Sequence, residues 1–488
     1  MQRSNIGRWT KVAGSLVLLC FTLGATQGFA ADEGRGEGHR DGQGGGRHGG
    51  APRYTVDPHW PKPLPFQWLV GQVGGVAVDQ DDNVWIVQRA LSLTDDEAWA
   101  TEAIAYRCDD GALQSSADTC TDGSTAVPID GLGNPRPDGP EADCCKPAPA
   151  VMQFDRDGNL LRAWGGPADP GFIGPHAQGE PGCDPAQGCQ WPAGEHGIYV
   201  DRGGFVYLAG NGTGTGLCGA VTCPWAPDHG VDGMVLKFSA NGTFIYQIGG
   251  PDPQDVPDSN DRNGAMNGTP QLYRPADMEV DPDTNELFIA DGYGNHRVLV
   301  VDADSGQYLR HWGGYGQHPV DDEPDENAAA PGPDPNFKNP VHCVRIVDEL
   351  VYVCDRVNNR IQVFDKTVVG APCANPDGRP GVCGFVEEKF IAADTLGNGS
   401  TWDVDTSPDE DQSCLFNPDG TNEKIWILDR ESLAILDTFG NAGRGAGQFH
   451  WLHNLAIDSA GYLYTAEVDT GKRAQKFRPR GRGGVACR

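Results

Sequence analysis

Along most of the chain short apolar runs alternate strictly with polar residues, and the runs come in pairs separated by a turn carrying Gly or Asn. The pairs include GGVAVDQDDNVWIV from Gly74, HGIYVDRGGFVYLAG from His196 and ADMEVDPDTNELFIAD from Ala276, then HCVRIVDELVYVCD from His342 and HNLAIDSAGYLYTAE from His453. Period-two alternation broken by such turns predicts antiparallel hairpins. Three of these pairs are followed by a second hairpin, in VMQFDRDGNLLRAWGG from Val151, MVLKFSANGTFIYQIGG from Met234 and VLVVDADSGQYLRHWGG from Val298. A four-stranded antiparallel unit repeated along a chain predicts an all-β propeller. A degenerate unit fits between Thr401 and Gly440, where WDVD, KIWILD and LAILDTFG supply strands around a long insertion. The YTVDPHW segment from Tyr54 supplies an outer strand that closes the ring. The count is six blades, with seven as the alternative because the Cys-rich insert from Ala90 to Ala150 is hard to place.

Upstream of the repeats the pattern changes. Arg3, Arg8 and Lys11 precede an apolar stretch at Val12–Leu23 and small residues at Gly28-Phe29-Ala30, the organisation of an export signal cleaved near Ala30. Residues 31–52 are rich in Gly and charge and predict a flexible linker. The propeller is expected over 53–488. No later segment is long and apolar enough to span a bilayer, so the expected location is secreted or periplasmic.

The formal charge of −31 argues against nucleic acid or an anionic membrane as partner, since phosphate binding needs a basic face. Losing Cys20 with the signal leaves 14 of the 15 cysteines, an even number that favours disulfides in an exported chain. Close spacing suggests Cys108/Cys120, Cys183/Cys189, Cys218/Cys223 and Cys373/Cys383. For one pair the ladder itself decides. A two-residue turn at Asp348-Glu349 sets Val347 opposite Leu350, and counting outward sets Cys343 opposite Cys354, within disulfide reach. Asn211, Asn241, Asn267 and Asn398 each start an Asn-Gly sequence that also matches a glycosylation sequon, and a tight turn is the favoured reading.

The candidate chemistry lies where the repeats begin. First strands of propeller blades line the central channel, and His196, His342 and His453 each open such a strand. Three neutral imidazoles meeting at a channel mouth form a tetrahedral zinc site with one open position. The chain resembles NHL-repeat propellers throughout. More specifically, it is similar to the peptidyl-α-hydroxyglycine α-amidating lyases, six-bladed zinc enzymes that split an N-acyl carbinolamine into an amide and glyoxylate. HGIYVD, HCVRIV and WLHNLAID match their zinc-ligand segments in the same order. By the same resemblance GVAVDQDDNVWIVQR places an active-site arginine at Arg89, ADGYGNHRVLVVD a catalytic tyrosine at Tyr293, and CDRVNNRIQVF a second arginine at Arg356.

The resemblance also implies a calcium site at Val76, Ile198 and Asn454. Asn454 stands where the family has aspartate, which removes a charge from the oxygen donors. Trp451 replaces a methionine two residues before the third histidine and alters the substrate pocket wall. The implied roles follow from charge. Zinc acts on the substrate hydroxyl as a Lewis acid, Tyr293 is a base whose anionic form the zinc and arginines favour, and Arg89 and Arg356 grip a carboxylate. The expected substrate is therefore a small molecule or peptide bearing a carboxylate. Two further readings stand beside this one: a non-catalytic NHL binding module, and a calcium-dependent propeller hydrolase or lactonase, which would favour carboxylates over histidines around its ion.

Overall fold

The computed structural model describes residues 50–93, 146–166, 187–213, 231–253, 268–319, 334–369 and 384–480, together with parts of the 94–145 insertion and a few residues beside these stretches. Residues of the expected signal and of most of the linker lie outside that set, as do Cys218, Cys223, Cys373, Cys383 and Asn267. By internal contacts the chain divides into Met1–Arg47 and His48–Arg488, and the second unit is the propeller.

Six four-stranded antiparallel sheets form the blades. Blade 1 runs Gln72–Val78, Val84–Arg89, Val151–Phe154 and Leu160–Trp164. Blade 2 spans Glu195–Gly249, blade 3 Asp277–Trp312, blade 4 Val341–Phe390 and blade 5 Asp405–Phe439. Blade 6 takes three strands between Leu452 and Arg480 and its outermost strand, Arg53–Asp57, from the other end of the domain. That pairing joins the two ends of the propeller through a ladder from Arg53↔Arg480 to Asp57↔Lys476. The Cys-rich insert adds no seventh blade among the described residues. It interrupts blade 1 between its second and third strands and contributes a small three-stranded sheet of its own.

The repeated strand-ending Asp has a physical role. Asp79 Oδ1 accepts the amides of Asp81 and Asn83, closing the turn, while its other oxygen receives Trp85 Nε1 at 2.8 Å. Asp201 and Asp458 make the same turn contacts and receive the hydroxyls of Tyr207 and Tyr464. Each aspartate thus satisfies turn amides that the ladder leaves open and ties the second strand to them.

Apolar side chains pack between neighbouring blades. Trp85 and Val87 of blade 1 share a cluster with Val206, Leu208 and Phe238 of blade 2, and Phe288 and Trp312 of blade 3 meet Val351 and Phe364 of blade 4. Each blade therefore buries both faces only when its neighbours are present, which is why the ring folds as one unit.

One sequence expectation changes here, and one disulfide is new. The stretch assigned to a long insertion in blade 5 contains a strand, Cys414–Asp419, pairing from Cys414↔Asp429 to Asp419↔Lys424. Its Pro418 and single cysteine obscure the alternation. Cys414 is bonded to Cys487, a pairing 73 residues apart that local spacing does not reveal. Disulfides also join Cys108–Cys120, Cys183–Cys189 and Cys343–Cys354, the last in the register Cys343↔Cys354 with Val347↔Leu350 at the turn.

Candidate metal centre

In each histidine-bearing blade the first strand breaks register where the histidine sits. The shifts fall between Glu195 and Ile198, between Val341 and Cys343, and between Leu452 and Asn454. A bulge of this kind re-aims one side chain without disturbing the rest of the strand. His196, His342 and His453 come together: their ligand-capable atoms lie within 4.8 Å of one another, and their ring centroids are 4.6 to 5.0 Å apart.

Around the ring, blades that open their first strand with histidine alternate with blades that supply a backbone carbonyl to it. His196 Nδ1 donates to Ala276 O at 2.7 Å, His453 Nδ1 donates to Gly74 O at 2.7 Å, and His342 Nδ1 donates to Trp402 O. Blades 2, 4 and 6 supply imidazoles, and the following blades 3, 5 and 1 supply the carbonyls that hold them. The tethers also fix the tautomer. With Nδ1 carrying the proton, each Nε2 presents a lone pair.

All three rings are buried, and burial holds each well below the usual histidine range. Mutual repulsion adds to this, as do Arg89 and Arg356. The imidazoles are therefore neutral, the form a metal binds.

Tyr293 completes the cluster. Its hydroxyl lies 3.1 Å from His196 Nε2, 3.0 Å from His342 Nε2 and 2.9 Å from Arg356 Nη1. A phenol has one proton to donate, so it satisfies only one of the two imidazole lone pairs. A cation satisfies every Nε2 at once, and the donor set of three neutral nitrogens fits a metal of the zinc class. The tyrosine is placed from both sides along the backbone: its amide donates to Arg274 O at 3.2 Å and its carbonyl receives Asn339 Nδ2 at 2.8 Å.

A cavity of about 300 Å³ opens over this cluster, lined by Arg89, Arg274, Tyr293, Arg356, Trp402, Trp451 and His453, with Asn211, Asn398 and Asp469 among the others. The catalytic and pocket residues named from sequence thus gather in one place. Their engagement differs. Arg89 is committed to the protein, donating from Nε to Glu195 O at 2.6 Å, from Nη1 to Gln72 Oε1 at 2.8 Å and from Nη2 to Asn211 Oδ1 at 3.4 Å. Arg356 lies 4.4 Å from the Trp402 ring centroid, and its buried Nε makes no hydrogen bond among the described residues. Trp402 and Trp451 form an aromatic wall, 5.9 Å between centroids.

Val76, Ile198 and Asn454 line a second cavity of about 100 Å³, but its oxygen supply differs from the one anticipated. Asn454 Oδ1 already accepts the Val76 amide at 2.7 Å, and its Nδ2 donates to Asp403 Oδ2 at 2.5 Å. The carboxylates lining it are Asp277, Glu279, Asp403 and Asp405, with Asp403 in contact with Asn454. Burial pushes Asp277 up to about 7 and, with repulsion from Asp277, lifts Asp403 well above the usual carboxylate range.

Arg274, Trp402, Asp277 and Asp403 escaped sequence reasoning. A signal for two of them existed. Trp402 occupies in blade 5 the position the histidines occupy in theirs, and Arg274 stands two residues before Ala276 as Trp451 stands before His453. Arg274 and Trp451 share a left-handed backbone, at φ 55° and 54°. Of the Asn-Gly sequences, Asn241-Gly242 is a tight turn, with Gly242 donating to Ser239 O at 2.9 Å and φ 79°, whereas Asn211 and Asn398 line the larger cavity.

No protein-family profile matches the chain. Peptidyl-glycine alpha-amidating monooxygenase B of Xenopus laevis is 35% identical over 207 residues, 42% of this chain and 20% of that protein. Peptidyl-glycine alpha-amidating monooxygenase of Mus musculus is 32% identical over 93 residues, 19% of this chain and 8% of its own length. NHL repeat-containing protein 3 of Homo sapiens is 26% identical over 275 residues, 55% of this chain and 59% of that protein. The chain is a six-bladed propeller that resembles NHL-repeat proteins and the amidating monooxygenases. Its matched part spans a fifth or less of the amidating relatives' length. Among solved structures a streptogramin B lyase aligns over 88% of this chain and 98% of its own at 12% identity and a TM-score of 0.37. Among the described residues no helix is long and apolar enough to cross a membrane, and the four disulfides suit an oxidising compartment.

Proposed function

We propose that this propeller is an exported, zinc-dependent carbon–nitrogen lyase that splits an N-acyl α-hydroxyglycine-type carbinolamine into an amide and glyoxylate. The observation that carries the reading is the convergence of three tautomer-fixed imidazole lone pairs on a phenol that also receives a guanidinium. His196, His342 and His453 would hold the zinc, which when bound supplies Lewis acidity at the substrate hydroxyl.

The chain's own groups account for the rest. Arg356 Nη1 donates to Tyr293 Oη, a charge-assisted hydrogen bond that steadies this oxygen when it acts as the base. The substrate hydroxyl proton passes to Tyr293 Oη. The C–N bond breaks as the carbonyl of glyoxylate forms, and the proton goes on to the departing amide nitrogen. No electrons leave or enter overall. Arg356 holds the carboxylate attached to the reacting carbon, while Arg89, tied to three protein acceptors, keeps the pocket wall in place. Trp402 and Trp451 face the acyl portion. Val76, Ile198 and Asn454, with Asp277 and Asp403 beside them, are the proposed seat of a calcium ion, the charge coming from the two aspartates rather than from Asn454.

Elemental analysis of the purified protein combined with a glyoxylate-release assay over several α-hydroxyglycine derivatives tests this. About one zinc per chain and release of glyoxylate are expected. Similarity to a human NHL repeat protein favours a second reading, a docking propeller without catalysis, and a protein that purifies free of metal and releases no glyoxylate would support it instead.

A further inference from the structure

Arg274 lines the larger cavity, and neither the repeats nor the resemblance assigns it a role. Its position is held with unusual rigidity. The backbone is left-handed at φ 55°, a conformation that costs a non-glycine residue free energy and persists only where the surroundings impose it. The Arg274 amide donates to Asp232 O at 2.9 Å, its carbonyl accepts the Tyr293 amide, and its Nε donates to Asn211 O at 2.8 Å. The guanidinium carbon lies 5.3 Å from the Tyr293 ring centroid, against 5.5 Å for Arg356.

With Nε tethered, the two terminal nitrogens of Arg274 make no hydrogen bond or ion pair among the described residues. These two nitrogens are the fork that grips a carboxylate through parallel hydrogen bonds. Charge sharpens the point. Among the described residues three arginines line the cavity against one carboxylate, that of exposed Asp469, in a chain whose formal charge is −31. A substrate with one carboxylate, held beside Tyr293 and Arg356, leaves this concentration of positive charge unbalanced, because Arg89 is spent on protein acceptors and Arg274 is not.

We infer that Arg274 is a specificity-determining residue that selects substrates carrying a second carboxylate, on the acyl side of the carbinolamine. The inference rests on the lyase reading for the identity of the substrate core, but the cavity and its free guanidinium fork stand apart from turnover.

The test uses the purified full chain and unreactive analogues lacking the hydroxyl: N-succinylglycine, with two carboxylates, and N-butanoylglycine, with one and a similar length. Calorimetric titration reads their affinities. Wild-type protein should bind the dicarboxylate roughly tenfold or more tightly than the monocarboxylate, the scale of a charge-assisted hydrogen-bonded pair. Arg274→Gln should bring that ratio close to one. Arg274→Lys, which keeps the charge but loses the fork, should give an intermediate ratio and serves as the second variant if the first folds poorly. A wild-type protein without the preference, an unchanged ratio in Arg274→Gln, or an equal loss on both analogues overturns the inference. Glyoxylate release from the hydroxylated counterparts is scored separately. Absent release with an Arg274-dependent preference sinks the lyase reading alone, whereas release without that preference sinks this inference alone.

Discussion

Replacing Tyr293 by phenylalanine separates a catalytic phenol from a bracket that merely fills space between histidines. The ring, its packing and its distance from the two flanking guanidinium groups are retained, and one oxygen is lost. In the structure that oxygen meets His196 Nε2, His342 Nε2 and Arg356 Nη1 within 3.1 Å. One proton serves the two imidazoles, so the loss amounts to about one neutral hydrogen bond plus the contact from Arg356, whose freed nitrogen borders a cavity that water can enter. Together these are worth about 1–2 kcal/mol, a fall of a few degrees at most in the melting temperature of a domain this large. Metal binding should persist, because the three ligands and their carbonyl tethers are untouched. Catalysis should not: removing a positioned acid–base group costs roughly 10²–10⁴ in kcat. Elemental analysis, thermal melting and glyoxylate release on one preparation give all three quantities. A metal-replete Tyr293→Phe protein retaining activity within a few-fold of wild type would refute the assignment of Tyr293 as the base.

Three further outcomes are expected. His342→Ala should lose its metal under dialysis while His318→Ala keeps it; equal metal content in the two proteins contradicts the three-histidine centre. Gly74→Ala should weaken metal binding roughly ten- to a hundredfold in chelator competition, the usual effect of disturbing a ligand's supporting partner. A methyl there would sit 2.8 Å from His196 O and 2.9 Å from Glu195 O, on the residue whose carbonyl holds His453; unaltered affinity would show that this tether is unimportant. Glu279→Gln should flatten the pH dependence of stability. Burial pushes Glu279 up to about 7, outweighing the attraction of Arg345. The folded state therefore takes up a proton, and its contribution is full below about pH 4 and lost as pH rises through about 7. Melting at about pH 5.5 and 8 should show the wild type losing about 2 kcal/mol more than the variant across that window; an unchanged difference rejects the assignment.

The blades of this protein were legible because a strand buried on alternate positions must write that alternation into its sequence. Hairpins starting at Gly74, His196, Ala276, His342 and His453 occur where the pattern puts them, and the Cys343–Cys354 pair follows from counting residues outward from one turn. The strand at Cys414–Asp419 was illegible since Pro418 and the flanking polar residues break that alternation.

Sequence alone also marked the three histidines, because equivalent places in a repeat stand at equivalent places around a ring. It could not supply the bulges that turn those rings inward, nor the alternation in which one blade's histidine is held by the next blade's carbonyl, at Ala276, Trp402 and Gly74. Those contacts use backbone atoms, which every residue type carries, so side-chain identity leaves no trace of them. The same holds for the free fork of Arg274 and the crowding of Asp277 with Asp403. Charge and hydrogen-bonding capacity are written in the chain, but whether a partner stands within reach is decided only when distant blades close into a ring.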